Sequence, residues 1–242
     1  MTDNQNIEHL LGRIHNTDCL EFMKQLPDKC VDLVLTDPPY QAHFENGGGS
    51  FGNRAYFGNI KNGVGSNLEF TVAKILPEIK RLCKSPFCGY FWTSQRLIFE
   101  YIMFAKENGF HYDIIVWNKL NPLPTKNNKY LPDLEYCVFI RESGAYFNND
   151  LEFNDYRKCI TTLVNKSQFG HPTEKPISVI NPSIKVSSKI GSIVFDPFMG
   201  SGTTAVAAER LGRRRFGCEL SEAYCAIAQK RIDAERMQLK LF

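Results

Sequence analysis

Predicted strands and helices alternate in the last third of the chain. A short apolar run over residues 192–195 leads through a glycine-rich turn into a helical stretch over 203–211, which Gly212 closes. A second β-prone run over 215–218 and a final helix over 221–237 follow. Strands that alternate with helices pair in parallel, so this pattern predicts a doubly wound α/β sheet.

The first two thirds of the chain continue the alternation around two irregular segments. Strands are predicted over 31–36, 89–93, 114–117 and 135–140, and helices over 68–82 and 95–108. Pro77 is expected to kink or split the first of these helices. The segment 41–67, rich in glycine and asparagine, predicts a mobile functional loop, and the polar segment 141–170 predicts an insertion outside the core. Together the elements predict one domain over residues 9–242.

Three of the predicted strands are followed at once by an acidic residue. Asp37 follows the first strand, Asp196 follows the apolar run before the glycine turn, and Glu219 follows the next strand. In open α/β sheets, ligands bind outside the carboxyl ends of the parallel strands. The three carboxylates are therefore expected to line one cleft for a ligand with hydroxyl, amine or positively charged groups.

The turn Gly200-Ser201-Gly202-Thr203 lies between a strand and a helix. Its glycines permit a tight turn and the close approach of a ligand to backbone N–H groups at the positive end of the helix. Glu219, seventeen residues beyond Gly202, is placed to accept hydrogen bonds from ribose hydroxyls. The pattern is not a phosphate-binding P-loop. It predicts an adenosine-containing ligand and leaves a nicotinamide or flavin cofactor open.

The tetrapeptide Asp37-Pro38-Pro39-Tyr40 narrows the chemistry. The exocyclic amine of a nucleobase is a poor nucleophile because its lone pair is delocalised into the ring. A carboxylate and a carbonyl held rigidly by two prolines can accept both amine hydrogens and favour the pyramidal, reactive nitrogen. The aromatic ring of Tyr40 can stack on a base that has swung out of its helix. These residues therefore predict a site that acts on a base amine.

Three motifs, in their order along the chain, carry a resemblance to a known family. They are the tetrapeptide at 37–40, the segment His-Pro-Thr-Glu-Lys-Pro at 171–176, and the segment Phe-Asp-Pro-Phe-Met-Gly-Ser-Gly-Thr at 195–203. The chain resembles the amino-group DNA methyltransferases that use S-adenosylmethionine. A tetrapeptide that precedes the glycine turn is typical of their circularly permuted β group. The family implies a Rossmann-like fold with a mostly parallel, seven-stranded sheet that has one antiparallel strand.

The resemblance also implies a role for each matched residue. The catalytic residues would be Asp37, Pro38, Pro39 and Tyr40. Asp18 would contact the adenine amino group of the cofactor and Glu219 its ribose hydroxyls, while Thr173 and Lys175 would reach its carboxylate. The rest of the cofactor wall would be formed by Asp196, Phe198, Gly200, Ser201, Gly202 and Thr203. His171 is expected to shape its loop rather than to transfer protons.

The implied reaction is direct methyl transfer to an exocyclic amine of a base flipped out of double-stranded DNA. An initial Asp in the tetrapeptide favours adenine N6 within this family, and cytosine N4 is the alternative. Sequence recognition is assigned to short insertions, the loop 41–67 and the segment 141–170. The candidate DNA-reading side chains are Arg54, Lys61, Arg157, Lys158, Asn165 and Lys166. For each of them, contact with phosphate or solvent is an alternative of equal weight.

Three other functions remain open at this point. An NAD-dependent oxidoreductase would use the same glycine turn but would give residues 37–40 no role. A methyltransferase that acts on RNA or on a protein amide shares the tetrapeptide logic, but usually has its glycine turn first in the chain. A DNA-binding module without catalysis would keep the motifs and only occlude its sites.

The composition agrees with a cytoplasmic protein associated with DNA. A net charge of +3 neither requires nor opposes such a partner. The eight cysteines include no C-x-x-C pair, and no stretch reaches about 18 apolar residues, so reduced thiols and no membrane span are expected. No ligand spacing suggests a metal, and none is expected. The resemblance adds two expectations, a possible homodimer and a prokaryotic or phage source.

Overall fold

The computed structural model describes residues 4–38, 72–122, 124, 130–164 and 174–239. The strands in these ranges are β1 (Ile14–Asn16), β2 (Leu33–Thr36), β3 (Cys88–Thr93), β4 (His111–Lys119), β5 (Leu134–Arg141), β6 (Cys159–Thr162), β7 (Ile193–Asp196) and β8 (Arg214–Glu219). The α-helices are α1 (Cys19–Lys24), α2 (Val72–Leu82), α3 (Ile98–Glu107), α4 (Ile177–Ser187), α5 (Thr203–Arg210) and α6 (Glu222–Leu239). Two short 3-10 helices span Asn4–Leu10 and Phe153–Tyr156.

These strands form one sheet in the order β1-β8-β7-β2-β3-β5-β4-β6. Every neighbouring pair is parallel except those of β5, which runs antiparallel to both β3 and β4. The prediction of a mostly parallel sheet with one antiparallel strand is confirmed, but the sheet has eight strands rather than seven. Two of the eight strands, β1 and β6, were not predicted from the sequence, and β6 lies inside the segment 141–170 and pairs with β4. Part of the predicted insertion therefore belongs to the sheet.

Side chains that alternate along the strands are buried on both faces of the sheet. Val34, Phe91 and Phe195 pack on one face with apolar residues of α1, α2 and α3. Leu35 and Trp92 pack on the other face with residues of α4 and α5. Because each face is covered by helices, the central strands are almost wholly apolar, as expected for a parallel sheet. The doubly wound arrangement predicted from the sequence is confirmed.

Strands β4, β5 and β6 continue beyond the point where the central strands end. Thr36, the last residue of β2, lies level with Phe91 of β3. Phe91 lies level with Val138 of β5, which pairs with Ile114 of β4. Beyond Ile114, β4 continues for five more residues to Lys119, a distance of roughly 16 Å at about 3.3 Å per residue. The outer strands therefore form a wall beside the carboxyl edge of β2 and β3.

Most local predictions agree with the structure. Gly212 closes α5 with a φ of 69°, as a glycine after a helix should. The helix α2 runs through Pro77 without being split, because its apolar stripe is buried along its whole length. All eight cysteines are free thiols. None of the helices in the described ranges is long and apolar enough to cross a membrane. The loop 41–67 and residues 165–170 of the insertion lie outside the described residues.

Candidate active site

Four acidic residues lie at the carboxyl ends of four adjacent strands. Asp18 follows β1 and Glu219 ends β8, while Asp196 ends β7 and Asp37 follows β2. The prediction that Asp37, Asp196 and Glu219 share one edge is confirmed, and Asp18 extends the row by one strand. The four acids form a row from β1 to β2, on the side of the sheet that leads to the wall formed by β4, β5 and β6.

Asp196 connects the two halves of this edge. Its Oδ1 accepts hydrogen bonds from the Thr36 hydroxyl (2.7 Å) at the end of β2 and from the Phe198 N–H (3.0 Å) in the glycine turn. Burial raises the pKa of Asp196 to about 6, although both hydrogen bonds oppose that shift. Its carboxylate therefore fixes the end of β2 against the turn that follows β7.

Gly202 adopts a left-handed conformation, with a φ of 84°. A Cβ built on it would lie 2.7 Å from the Ala228 Cβ of α6, which is closer than real Cβ contacts. The sequence assigned this glycine to the close approach of a ligand. The structure gives a second reason for glycine here, because the space a side chain would fill is already occupied by α6, and the approach of a ligand stays a prediction.

This packing gives a prediction with a matched control. Gly191 has a φ of 80° but nothing within 4 Å of its Cβ position, so Gly191→Ala should cost only the left-handed conformation, about 1–2 kcal/mol. Gly202→Ala has the same cost and the contact with α6 as well, and should lower the free energy of unfolding by about 1–3 kcal/mol more. Urea denaturation of both variants measures the difference. Equal losses would mean that Ala228 does not limit this position.

Glu219 and Asp18 are held by backbone N–H groups. Glu219 accepts from Gly200 N (2.9 Å) through Oε2 and from Ser221 N (2.8 Å) through Oε1. Asp18 is the N-cap of α1, and its Oδ1 accepts from Leu20 N (2.9 Å) and Glu21 N (3.1 Å). Each Glu219 oxygen can accept one more hydrogen bond, and so can the Asp18 Oδ2, so both groups are oriented acceptors for hydroxyl or amine donors.

Arg231 of α6, which the sequence did not single out, ties the glycine turn to the segment before α4. Its Nη1 donates to the Ser201 carbonyl (2.7 Å) and hydroxyl (2.8 Å), and to the Thr203 hydroxyl (3.3 Å). Its Nη2 pairs with Glu174 (2.7 Å). The Ser201 and Thr203 hydroxyls therefore hold the turn to α6, and the place of both residues in the cofactor wall, which the resemblance implies, stays a prediction. The role of Arg231 can be recognised only from the burial of its guanidinium group in the structure, because an arginine inside a helix carries no distinctive signal in a sequence.

Asp37 lies at the last position of the row, directly after β2. Its Oδ2 accepts a hydrogen bond from the Lys175 ammonium group. Its Oδ1 is buried and has no hydrogen-bond partner among the described residues. Burial raises the pKa of Asp37, while the charge of Lys175 opposes the rise. One carboxylate oxygen is thus fixed by a cation, and the other is a buried acceptor with no partner in this part of the chain.

Lys175 has partners other than the cofactor carboxylate that the resemblance implies. Besides Asp37, its ammonium group pairs with Glu135 of β5 (3.2 Å) and lies 5.1 Å from the centre of the Trp92 ring. These contacts place it on the side of the edge that holds Asp37. Pro38 is buried and Phe198 is half-buried. The predicted site residues Pro39, Tyr40, His171 and Thr173 lie outside the described residues.

Two predicted DNA-reading side chains already have partners within the chain. Lys158 pairs with Asp113 of β4 (2.5 Å). Arg157 donates to the Asn154 side chain (2.9 Å) and lies over the Phe153 ring. Arg54, Lys61, Asn165 and Lys166 lie outside the described residues. Across the described ranges, no group of three or more His, Cys, Asp or Glu side chains is arranged to hold a metal ion.

The fold and the site together define the class of protein. A doubly wound sheet with one antiparallel strand carries a glycine turn after β7, an oriented acid after β8, and Asp-Pro-Pro-Tyr after β2. This is a Rossmann-like methyltransferase.

Comparison with known proteins identifies the family. Residues 31–230 match the N6/N4 DNA methylase family. The type II methyltransferase M2.DpnII of Streptococcus pneumoniae is 31% identical, over 91% of this chain and 89% of that protein. The chain belongs to the N6/N4 DNA methylase family.

Solved structures agree with this assignment. The complex of M1.HpyAVI with SAM superposes with a TM-score of 0.67 at 27% identity, over 90% of this chain and 98% of that one. The cytosine-N4-specific PvuII DNA methyltransferase has the same TM-score of 0.67 at 16% identity, over 91% of this chain and 89% of that one. The second likeness concerns the fold alone.

Proposed function

We propose that this protein transfers a methyl group from S-adenosylmethionine to the N6 amine of adenine in duplex DNA, on a base flipped into the edge beside Asp37. One observation carries the proposal. Asp37 has one oxygen fixed by Lys175 and a second, buried oxygen without a partner among the described residues. A base amine supplies the hydrogen-bond donor that such an oxygen requires.

The other end of the edge suits the cofactor. Glu219 and Asp18 are carboxylates oriented by backbone N–H groups, and they match the ribose hydroxyls and the adenine amine of an adenosine. The first turn of α5 has no side-chain cap, because its N-cap is Gly202. Its N–H groups therefore remain available to a negatively charged ligand group. When bound, S-adenosylmethionine supplies a sulfonium methyl group that an amine can attack.

The chain's own residues supply orientation and proton acceptance. The Asp37 Oδ1 accepts one amine hydrogen, and the backbone carbonyl of one of the two prolines that follow it in the sequence accepts the other. This pairing favours the pyramidal nitrogen, whose lone pair is free to react. The methylated amine then gives a proton to Asp37 or to water. Positioning and exclusion of water contribute most of the acceleration.

The choice of adenine rests on the first residue of the tetrapeptide, which is Asp in this chain. Cytosine N4 is the alternative, because the two amines have the same chemistry. The order of the motifs supports membership of the permuted β group, since the tetrapeptide follows β2 and the glycine turn follows β7. We also propose that the enzyme acts in restriction–modification in the cytoplasm of a prokaryote or a phage host, as the type II relatives suggest, and that it forms a homodimer.

The identity of the methylated base tests the proposal. The protein is incubated with labelled S-adenosylmethionine and unmethylated genomic DNA, and the nucleosides are then separated by mass spectrometry. We expect label in N6-methyladenine. Label in N4-methylcytosine would be consistent with the same mechanism but would show that the target base is cytosine rather than adenine. Bound cofactor without any methylated nucleoside would exclude DNA as the methylated substrate and leave a methyltransferase of RNA or protein, or a non-catalytic DNA-binding module.

A further inference from the structure

Four side chains of alternating charge form a series of ion pairs that ends at Asp37. Lys119 pairs with the Glu135 Oε1 (2.5 Å), the Glu135 Oε2 pairs with Lys175 (3.2 Å), and Lys175 pairs with Asp37. The Lys175 side chain is only 5% exposed, and those of Lys119, Glu135 and Asp37 are 16%, 20% and 33% exposed. Ion pairs this well shielded from water are screened much less than surface pairs.

Glu135 and Lys119, the two members of the ion-pair series that do not touch Asp37, lie on the wall formed by β4, β5 and β6. Glu135 is the second residue of β5 and pairs in register with Trp117, while Lys119 is the last residue of β4. Among the described residues, neither side chain makes a hydrogen bond or an ion pair with Asp37. They reach Asp37 through Lys175, which lies between the two carboxylates.

The charges of neighbouring side chains in the ion-pair series partly offset one another. Burial would raise the pKa of Glu135, but Lys175 and Lys119 outweigh burial and hold that pKa below its ordinary value. Glu135 is therefore ionised and offsets part of the positive charge that Lys175 presents to Asp37. Lys119 in turn offsets part of the charge of Glu135. The effective charge beside Asp37 is set by three side chains rather than one.

We propose that Glu135 and Lys119 are positioning residues which, through Lys175, set how strongly Asp37 accepts a hydrogen of the target amine. The inference rests on the role of Asp37 given under the proposed function. It assigns a part in the reaction to two residues outside the three motifs, on strands that the sequence marks only as apolar sheet elements.

Other groups also face Asp37, and they stay unchanged in the variants below. Among the described residues, the titratable groups that act on Asp37 or respond to its charge are Lys175, Glu135, Lys119, Asp196, Tyr101 and Cys137. Asp196 is on β7, Tyr101 on α3 and Cys137 on β5. Because these three are common to all variants, a shift between variants reports Glu135 or Lys119.

The test is the pH dependence of the single-turnover rate of methyl transfer, at saturating cofactor and DNA. Protonation of Asp37 should lower the rate at acidic pH, and this fall is the acidic limb of the pH profile. Glu135→Gln leaves the charge of Lys175 less compensated, which lowers the pKa of Asp37 and moves the acidic limb to lower pH. Lys119→Met leaves Glu135 less compensated, which raises the pKa of Asp37 and moves that limb to higher pH. Each shift should change the rate at a fixed pH on the limb by at least about threefold, in opposite directions.

The controls separate this effect from a structural one. Lys84→Met removes a more exposed ion pair with Asp32, at the opposite end of β2 from Asp37, and should leave the limb in place. The double variant Glu135→Gln with Lys119→Met should bring the limb back toward the wild type. If Glu135→Gln fails to fold, Lys119→Met alone decides. Shifts in one direction, or no shift in Lys119→Met, would overturn the proposal. Methyl transfer by the wild type and its loss in Asp37→Ala would still support the proposed function.

Discussion

Asp37→Ala should abolish methyl transfer while the protein still folds and binds S-adenosylmethionine. In the proposed mechanism the buried Oδ1 accepts the amine hydrogen, and this variant removes it. Removal of one preorganised group that stabilises a transition state costs about 10²–10³ in rate, and we expect a loss of at least this size. The fold should survive, because Lys175 keeps its ion pair with Glu135. Single-turnover rates and calorimetric titration of the cofactor measure the two quantities.

A matched control for this variant is Asp113→Ala. Asp113 is an aspartate of the same sheet, but it pairs with Lys158 on the surface, far along β4 from the edge. Its loss should leave the rate within about twofold, as expected for an exposed ion pair. Methyl transfer by Asp37→Ala at a rate near that of the wild type would remove Asp37 from the chemistry.

Arg231→Met should be among the most destabilising substitutions in the protein. The guanidinium is almost fully buried, and its removal leaves Glu174 without its ion-pair partner and the Ser201 carbonyl without its donor. Breaking a buried ion pair from one side costs about 3–5 kcal/mol of the free energy of unfolding. Urea denaturation monitored by circular dichroism measures the loss.

Two further variants test the reason for that loss. Arg231→Met combined with Glu174→Gln removes the unpaired charge, so it should be less destabilised than Arg231→Met alone. Arg236→Met changes a half-exposed arginine on the same helix, which pairs with Glu209, and should cost no more than about 1 kcal/mol. Equal losses in Arg231→Met and in the double variant would contradict an unpaired Glu174 as the cause.

The positions of the acids could be predicted because they depend only on the order of strands and helices. A residue that directly follows a parallel strand must lie at the carboxyl edge, whatever the details of packing. Asp37, Asp196 and Glu219 follow such strands, and the structure brings them together. The closure of α5 by Gly212 is similarly local, since it requires only a left-handed residue after a helix.

The partners of the buried charges could not be predicted, because they depend on distant contacts. Lys175 meets Glu135 only because β5 rises beyond the central strands, and that rise follows from the register with β4. Arg231 meets Ser201 because α6 packs behind the glycine turn. The strand β6 is short and polar on one side, so its pattern does not stand out from a loop.

In the proposed mechanism Asp37 takes part in the reaction, whereas Glu219 binds the cofactor. The most direct test is the single-turnover rate of methyl transfer against cofactor concentration, for Asp37→Ala and Glu219→Gln side by side. Asp37→Ala should lower the maximal rate without raising the half-saturating concentration. Glu219→Gln should raise the half-saturating concentration and leave the maximal rate nearly unchanged. The opposite pattern, in which Asp37→Ala is rescued by more cofactor, would place Asp37 among the cofactor ligands and contradict the account.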